Sequence, residues 1–363
     1  MILLRRLLLP ALLICTAGLY AQDVHFTLYN YSPLTINPAH SGAFLGTFRL
    51  GGIYRDQWAT VVKSSYRTPN FYIDAPIIKG FRKSDWIGVG LNIIQDQAGT
   101  AKLTSGSAGI SGAYHLALDK KGRSTLSLGF QYARVSRSIG LTSQSKNKNY
   151  DLLRFEDELN GSISGQSPDR SNFNQSNYQD YNAGLLLKSV LKDQSTFELG
   201  LSAAHITMPR YGLGGGGGRD TINPNPNPGG GGQAGSDKRP LRMLVHSQYR
   251  KELNEKWGIH PSVLFQTTAG AFEFIGQAWT HYLFNEEKDI TLNMGLGYRV
   301  GDAAQILAGM DIKDLRVALS YDVNLSSLTP ASNFHGGFEL AVSYIGKIYK
   351  KPDVKPVIIC PQL

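Results

Sequence analysis

Ile290-Thr-Leu-Asn-Met-Gly-Leu-Gly-Tyr-Arg-Val300 alternates an apolar residue with a small or polar one along its whole length. That period of two belongs to a β-strand, whose successive side chains point to opposite faces. Ile290, Leu292, Met294, Leu296, Tyr298 and Val300 make one face, and Thr291, Asn293, Gly295, Gly297 and Arg299 make the other. The same alternation runs through Ile87 to Ile93, Leu126 to Ala133 and Phe338 to Tyr344. Ten further segments begin near Thr47, Asn70, Thr104, Tyr181, Thr196, Leu241, Gly258, Ala271, Ala303 and Leu315. The chain therefore reads as about fourteen strands.

A soluble sandwich would alternate in the same way, so the content of the second face has to decide. Here it is Gly, Ser, Ala, Asn and Gln with an occasional Arg or Glu, which suits the inside of a barrel whose apolar face meets lipid. The best segments reach the roughly 9–11 residues that a transmembrane strand needs. Composition agrees: 40 glycines, 18 tyrosines and only 18% charged residues favour short strands and turns over long charged helices. The N-terminus supplies the route to a membrane. Arg5 and Arg6, the apolar run Leu7 to Ile14 and Ala21 before Gln22 have the form of a cleavable secretory leader. Its apolar run is too short for a spanning helix. The expected fold is all-β, a transmembrane antiparallel barrel in the outer membrane. Within it, Leu292 is expected at the lipid midplane.

Loop lengths set an expected orientation. The longest connections, Ser136 to Tyr178, Ile206 to Arg239 and Asp322 to His335, all follow odd-numbered strands, while those after even-numbered strands are mostly short. Outer-membrane barrels have short periplasmic turns and longer outer loops, so both ends of the mature chain are expected in the periplasm. Trp86, Tyr249, Trp257 and Tyr282 at one set of strand ends, and Tyr54, Tyr132 and Tyr298 at the other, are expected to form aromatic girdles. The resulting organisation is a leader over 1–21, a periplasmic segment and possible plug over 22–45, the barrel over 46–345 and a basic periplasmic tail over 346–363. The segment 22–45 is rich in Tyr, Phe, Asn and Pro and lacks alternation.

The search for chemistry returns little. The eight histidines are scattered singly, with no His-Glu-x-x-His helix and no His/Cys cluster at metal spacing. There is no Gly-x-Ser-x-Gly elbow. The Gly/Asn/Pro-rich run from Gly214 to Gly232 lacks the Lys-Ser/Thr pair of a phosphate cradle and reads as a surface loop. The acidic stretch Asp151 to Asn160 reads as a solvated face. Loss of the leader removes Cys15 and leaves Cys360 alone, so no intrachain disulfide is expected. A net charge of +9, which includes two leader arginines, is no nucleic-acid signature in an exported chain. No catalytic, cofactor or metal residue is assigned, and an enzyme is not expected.

Several motifs are more specific. Gln22-Asp-Val-His-Phe-Thr-Leu-Tyr29, Pro33-Leu-Thr-Ile-Asn-Pro-Ala39, Tyr54-Arg-Asp-Gln-Trp58 and Ile73-Asp-Ala-Pro76 follow one another near the mature N-terminus. Asp96-Gln-Ala-Gly99, Gly200-Leu-Ser-Ala-Ala-His205 and Ser320-Tyr-Asp322 continue the series. In these elements the chain resembles the PorP/SprF family of the type IX secretion and gliding-motility apparatus of Bacteroidetes-type bacteria. His40 departs from the pattern, standing where the resemblance leads one to expect an aromatic residue. The resemblance implies an outer-membrane barrel that works by protein contact and needs no cofactor. Its implied partners are the secretion and motility components, or a large surface adhesin ending in a type B C-terminal domain. Asn37, Pro38, Arg55, Gln57 and Trp58 are the candidate partner-binding residues, set against plainer roles as a turn and a membrane girdle. The alternative function is an outer-membrane channel for small or apolar solutes.

Overall fold

A computed structural model describes residues 23–62, 65–79, 84–99, 102–119, 123–139, 175–191, 193–211 and 238–348. The leader, the acidic stretch, the Gly/Asn/Pro-rich loop and the tail with Cys360 lie outside the described residues. The strands are β1 (Phe48–Gln57), β2 (Tyr66–Lys79), β3 (Trp86–Ala98), β4 (Leu103–Ala117), β5 (Ser124–Ile139), β6 (Gln175–Val190) and β7 (Thr196–Ala204). They continue as β8 (Arg242–Glu252), β9 (Trp257–Thr268), β10 (Ala271–Asn285), β11 (Ile290–Arg299), β12 (Ala303–Ile312), β13 (Leu315–Asn324) and β14 (His335–Gly346). Each pairs with its sequence neighbours in antiparallel fashion, and β1 closes on β14 with Phe48 opposite Gly346. The result is a closed barrel of 14 strands, which leaves no open edge. No helix among the described residues is long and apolar enough to cross a membrane, so any crossing is by strands.

Side-chain exposure follows the period of two. On β11, Met294 is 65% exposed and Leu296 68%, while Asn293 between Leu292 and Met294 is 9% exposed. Outward-facing Phe71, Ile110, Leu128, Phe130, Ile306 and Leu340 extend this apolar surface around the wall. An exposed hydrophobic surface of that extent belongs in hydrocarbon. Leu292 lies only two residues from the start of β11, so Met294 replaces it as the midplane position. Met294→Arg is expected to destabilise the barrel by about 2–4 kcal/mol, and Tyr298→Arg, beside the strand end, by about 0–1 kcal/mol. Denaturant unfolding in lipid vesicles measures both, and equal costs would show that this face does not sit in hydrocarbon.

Residues 23–42 do not extend away from the barrel; they fill it. Pro33 and Pro38 each open a short helical turn, over Pro33–Ile36 and Pro38–His40, and remove two N–H groups that a strand ladder would need. Asn37 caps the second turn, its Oδ1 accepting from the Ala39 N–H at 2.9 Å. Phe26, Leu28 and Tyr31 pack with the inward-facing Ile53, Trp279, Leu307, Ala318 and Ala341. Tyr29 and Ile36 pack with Leu244, Leu264 and Ile275. Inward glycines let the backbone approach the wall: a Cβ on Gly129 would overlap Pro38 and Ala39, and one on Gly88 would overlap the Ser41 carbonyl.

The segment 22–45, expected as periplasmic and a possible plug, runs inside the barrel over 23–42, because its aromatic and aliphatic side chains find an apolar lining there. The first described residue, Asp23, and the end of β14 lie at opposite mouths. Gly346 ends β14 beside Phe48 at one mouth, which we term proximal, whereas Asp23 is held by His205 and Arg239 at the distal mouth. An even strand count fixes only where β1 begins and β14 ends, and the preceding residues travel back through the interior. Trp86 also leaves the expected girdle: its Nε1 donates to the Gly42 carbonyl at 2.9 Å and its ring stacks on buried His115.

Candidate functional site

The interior is the candidate site, since it gathers the inward-facing charges of the strands around one peptide segment. Three groups of wall residues hold that segment. In the middle and distal part, Glu339 of β14 accepts the backbone N–H of Thr27 and of Leu28, each at 2.8 Å. Arg55 of β1 donates to the same carboxylate at 2.6 Å and stands 3.8 Å from Asp322 of β13. The Thr27 hydroxyl donates to Asp322 at 2.7 Å and accepts from Arg299 of β11 at 2.9 Å. Gln277 of β10 donates to the Thr27 carbonyl at 2.8 Å. Arg55, Arg299, Asp322 and Glu339 are all at most 4% exposed, so these are low-dielectric, charge-assisted contacts.

At the proximal mouth, Asp74 of β2 accepts the Gly42 N–H at 2.7 Å and pairs with Arg49 at 2.8 Å. A ring nitrogen of His115 lies 2.8 Å from the Ser41 carbonyl, and the Ser41 and Ser111 hydroxyls meet at 2.7 Å. At the distal mouth, Asp23 pairs with Arg239 and lies 2.9 Å from His205, which in turn contacts Asp180 at 2.7 Å. The segment is thus fastened at both ends and between them.

The five residues singled out from sequence do not converge. Asn37 and Pro38 lie against β5, β6 and β7, with the Asn37 amide donating to the Leu185 carbonyl at 2.9 Å. Arg55 faces the interior, and Gln57 accepts from it at 3.3 Å. Trp58 adopts a left-handed backbone with φ 59°, donates its N–H to the Gly336 carbonyl and packs edge-on against Tyr66. Asn37, Pro38 and Arg55 are buried in internal contacts, whereas Gln57 and Trp58 remain half-buried at the distal rim.

Sequence reading passed over the wall side of the site. Glu198, His246, Asp322 and Glu339 each sit inside a strand at a position whose neighbours point outward, and a charge at such a position is the available signal. It also passed over a grouping from three remote parts of the chain. His40, Glu198 of β7 and His246 of β8 are all buried, with one ligand atom from each lying within 4.8 Å of the others. Among the described residues this is the grouping with the composition of a metal site.

Two cavities beside the segment are small. One bordered by Tyr31, Arg250, His260 and Arg316 and another by Phe26, Tyr29 and Glu273 hold about 20 Å³ each. That is room for about one water. A larger concavity of about 630 Å³ lies among Ile73, Val89, Ile110, Phe130 and Tyr132, whose outward side chains belong to the lipid-facing surface.

The family described as "Type IX secretion system membrane protein PorP/SprF" matches residues 18–344. No curated protein matches. Among solved structures, the CymD monoaromatic hydrocarbon channel is similar at 10% identity and a TM-score of 0.50, covering 88% of this chain and 93% of its own. The Ralstonia pickettii toluene transporter TbuX gives 10% identity and a TM-score of 0.48, covering 88% of this chain and 94% of its own. The first likeness shows a shared barrel fold and nothing finer.

Proposed function

Since this chain belongs to the PorP/SprF family of type IX secretion system membrane proteins, we propose that it serves type IX secretion in the outer membrane by binding proteins. The observation that carries this reading is the filled interior. A barrel whose lumen holds residues 23–42 on buried ion pairs has no ready path for a solute. Its working surfaces are then the rims and loops, where binding residues commonly sit. The proximal mouth faces the periplasm in this proposal, because the connections there are the shorter ones. The leader 1–21 is removed on export, and Asp23 consequently lies near the cell surface.

The partner class we favour is a large surface adhesin with a type B C-terminal domain, or the secretion and motility assembly itself. Gln57 and Trp58 at the distal rim are the candidates to touch an exported partner. Asn37 and Pro38 seat the internal segment on β5, β6 and β7, and Arg55 pairs with the Glu339 that holds it. Gentle detergent extraction of the native outer membrane at low salt is expected to recover the barrel with a stoichiometric high-mass surface protein or with secretion components, identified by mass spectrometry. Recovery of the barrel alone, with adhesin export intact in a deletion strain, would overturn the proposal. The solute-channel reading has the hydrocarbon-channel fold in its favour, and the internal segment against it.

A further inference from the structure

We propose that His40, Glu198 and His246 form a buried zinc site that clasps the internal segment to β7 and β8. Two imidazoles and one carboxylate are a donor set suited to zinc, with the fourth position open to water. The three ligand atoms lie within 4.8 Å of one another, and His40 Nε2 stands 3.7 Å from Glu198 Oε1. Drawing them around one ion takes shifts on the order of 1 Å, given metal–ligand distances of about 2.0–2.2 Å.

Three independent features support a built site. First, His40 Nε2 is buried and has no hydrogen-bond partner, an arrangement that is costly if nothing binds there. Second, one ligand has a supporting group: Gln248 Nε2 donates to Glu198 Oε1 at 2.7 Å. Third, the wall makes room: Gly200 pairs with His246 across β7 and β8, and any Cβ on Gly200 would occupy the space of the imidazole. The one competing explanation from the same atoms is a proton on His40 facing Glu198, which needs no metal.

The test uses the full mature chain, purified without a histidine tag and stripped with chelator. It is then loaded with zinc chloride, desalted and assayed for metal by mass spectrometry. One tightly held zinc ion per chain and a higher melting temperature with zinc are expected. His40→Phe fills the same space without a ligand atom and is expected to weaken binding by at least the roughly 10–100-fold that loss of a supporting group costs. Glu198→Gln, which keeps the shape and an acceptor for Gln248, should do the same and serves if His40→Phe fails to fold. Wild type that retains no zinc, or folded variants that retain as much as wild type, would overturn the site. Neither result bears on type IX secretion, which the partner recovery tests separately.

Discussion

Glu339→Ala is expected to destabilise the folded barrel by about 3–5 kcal/mol, the range for removing one partner of a buried ion pair. Glu339 is 1% exposed, and its two oxygens accept the Thr27 and Leu28 N–H groups and the Arg55 guanidinium. Alanine orphans both N–H groups and leaves Arg55 buried with Asp322 at 3.8 Å as its remaining carboxylate. Glu339→Gln keeps one acceptor oxygen and loses only the charge, so it should fall between wild type and alanine. Exchange of both partners, Arg55→Met with Glu339→Met, should cost less than the sum of the single losses, because no unpaired charge remains. Thermal unfolding in detergent, followed by the gel shift of the folded barrel, ranks the variants. A loss below about 1 kcal/mol for Glu339→Ala would match an exposed pair and contradict a segment seated on this carboxylate.

Much of the wall was legible from the period of two, because a barrel in lipid sorts apolar from polar residues at every step. β7, β10, β11, β12 and β13 begin where the alternation begins. The weaker segments have identifiable causes. β2 contains Pro69 and Pro76, with a register shift between Pro76 and Ile78, and β9 contains Pro261, where pairing with β8 lapses between Ser262 and Ile259. β6 starts at Gln175 and not near Tyr181, since Gln175 to Asp180 interposes polar residues on both faces.

The interior was less legible, for a different reason. Ile53, Leu264 and Trp279 point inward against the general sorting, and only a segment inside the barrel explains an apolar residue on that face. That segment has no period, because it follows the contour of the wall through three short turns and not a ladder. The tripartite grouping of His40, Glu198 and His246 was equally hidden. Its members are remote in sequence, and the register of β7 against β8 brings two of them together while the internal segment supplies the third. Asn37-Pro38 and Arg55 were visible as unusual, but their surroundings were not. The motifs that made them candidates for a partner give them an internal one.

A chain lacking Val24 to Ser41 is expected to conduct ions across a planar bilayer that the full mature chain leaves silent. Barrels of about 8 strands are filled by their own side chains, whereas those of about 16–18 leave an aqueous channel. A barrel of 14 strands lies nearer the second case, so its solidity has to come from something added, and residues 23–42 are what occupies it. Their removal would expose Arg49, Arg55, Asp74, Arg299 and Glu339 to a common lumen and leave these charges to be solvated by entering water. Gly129→Val offers the same test without a deletion, because its side chain would occupy the place of the Pro38–Ala39 backbone and displace the segment from β5. Single-channel recording should show steady openings for both variants. Equal conductance in the full mature chain would mean that the internal segment does not seal the barrel, and the solute-channel reading would then displace the protein-binding one.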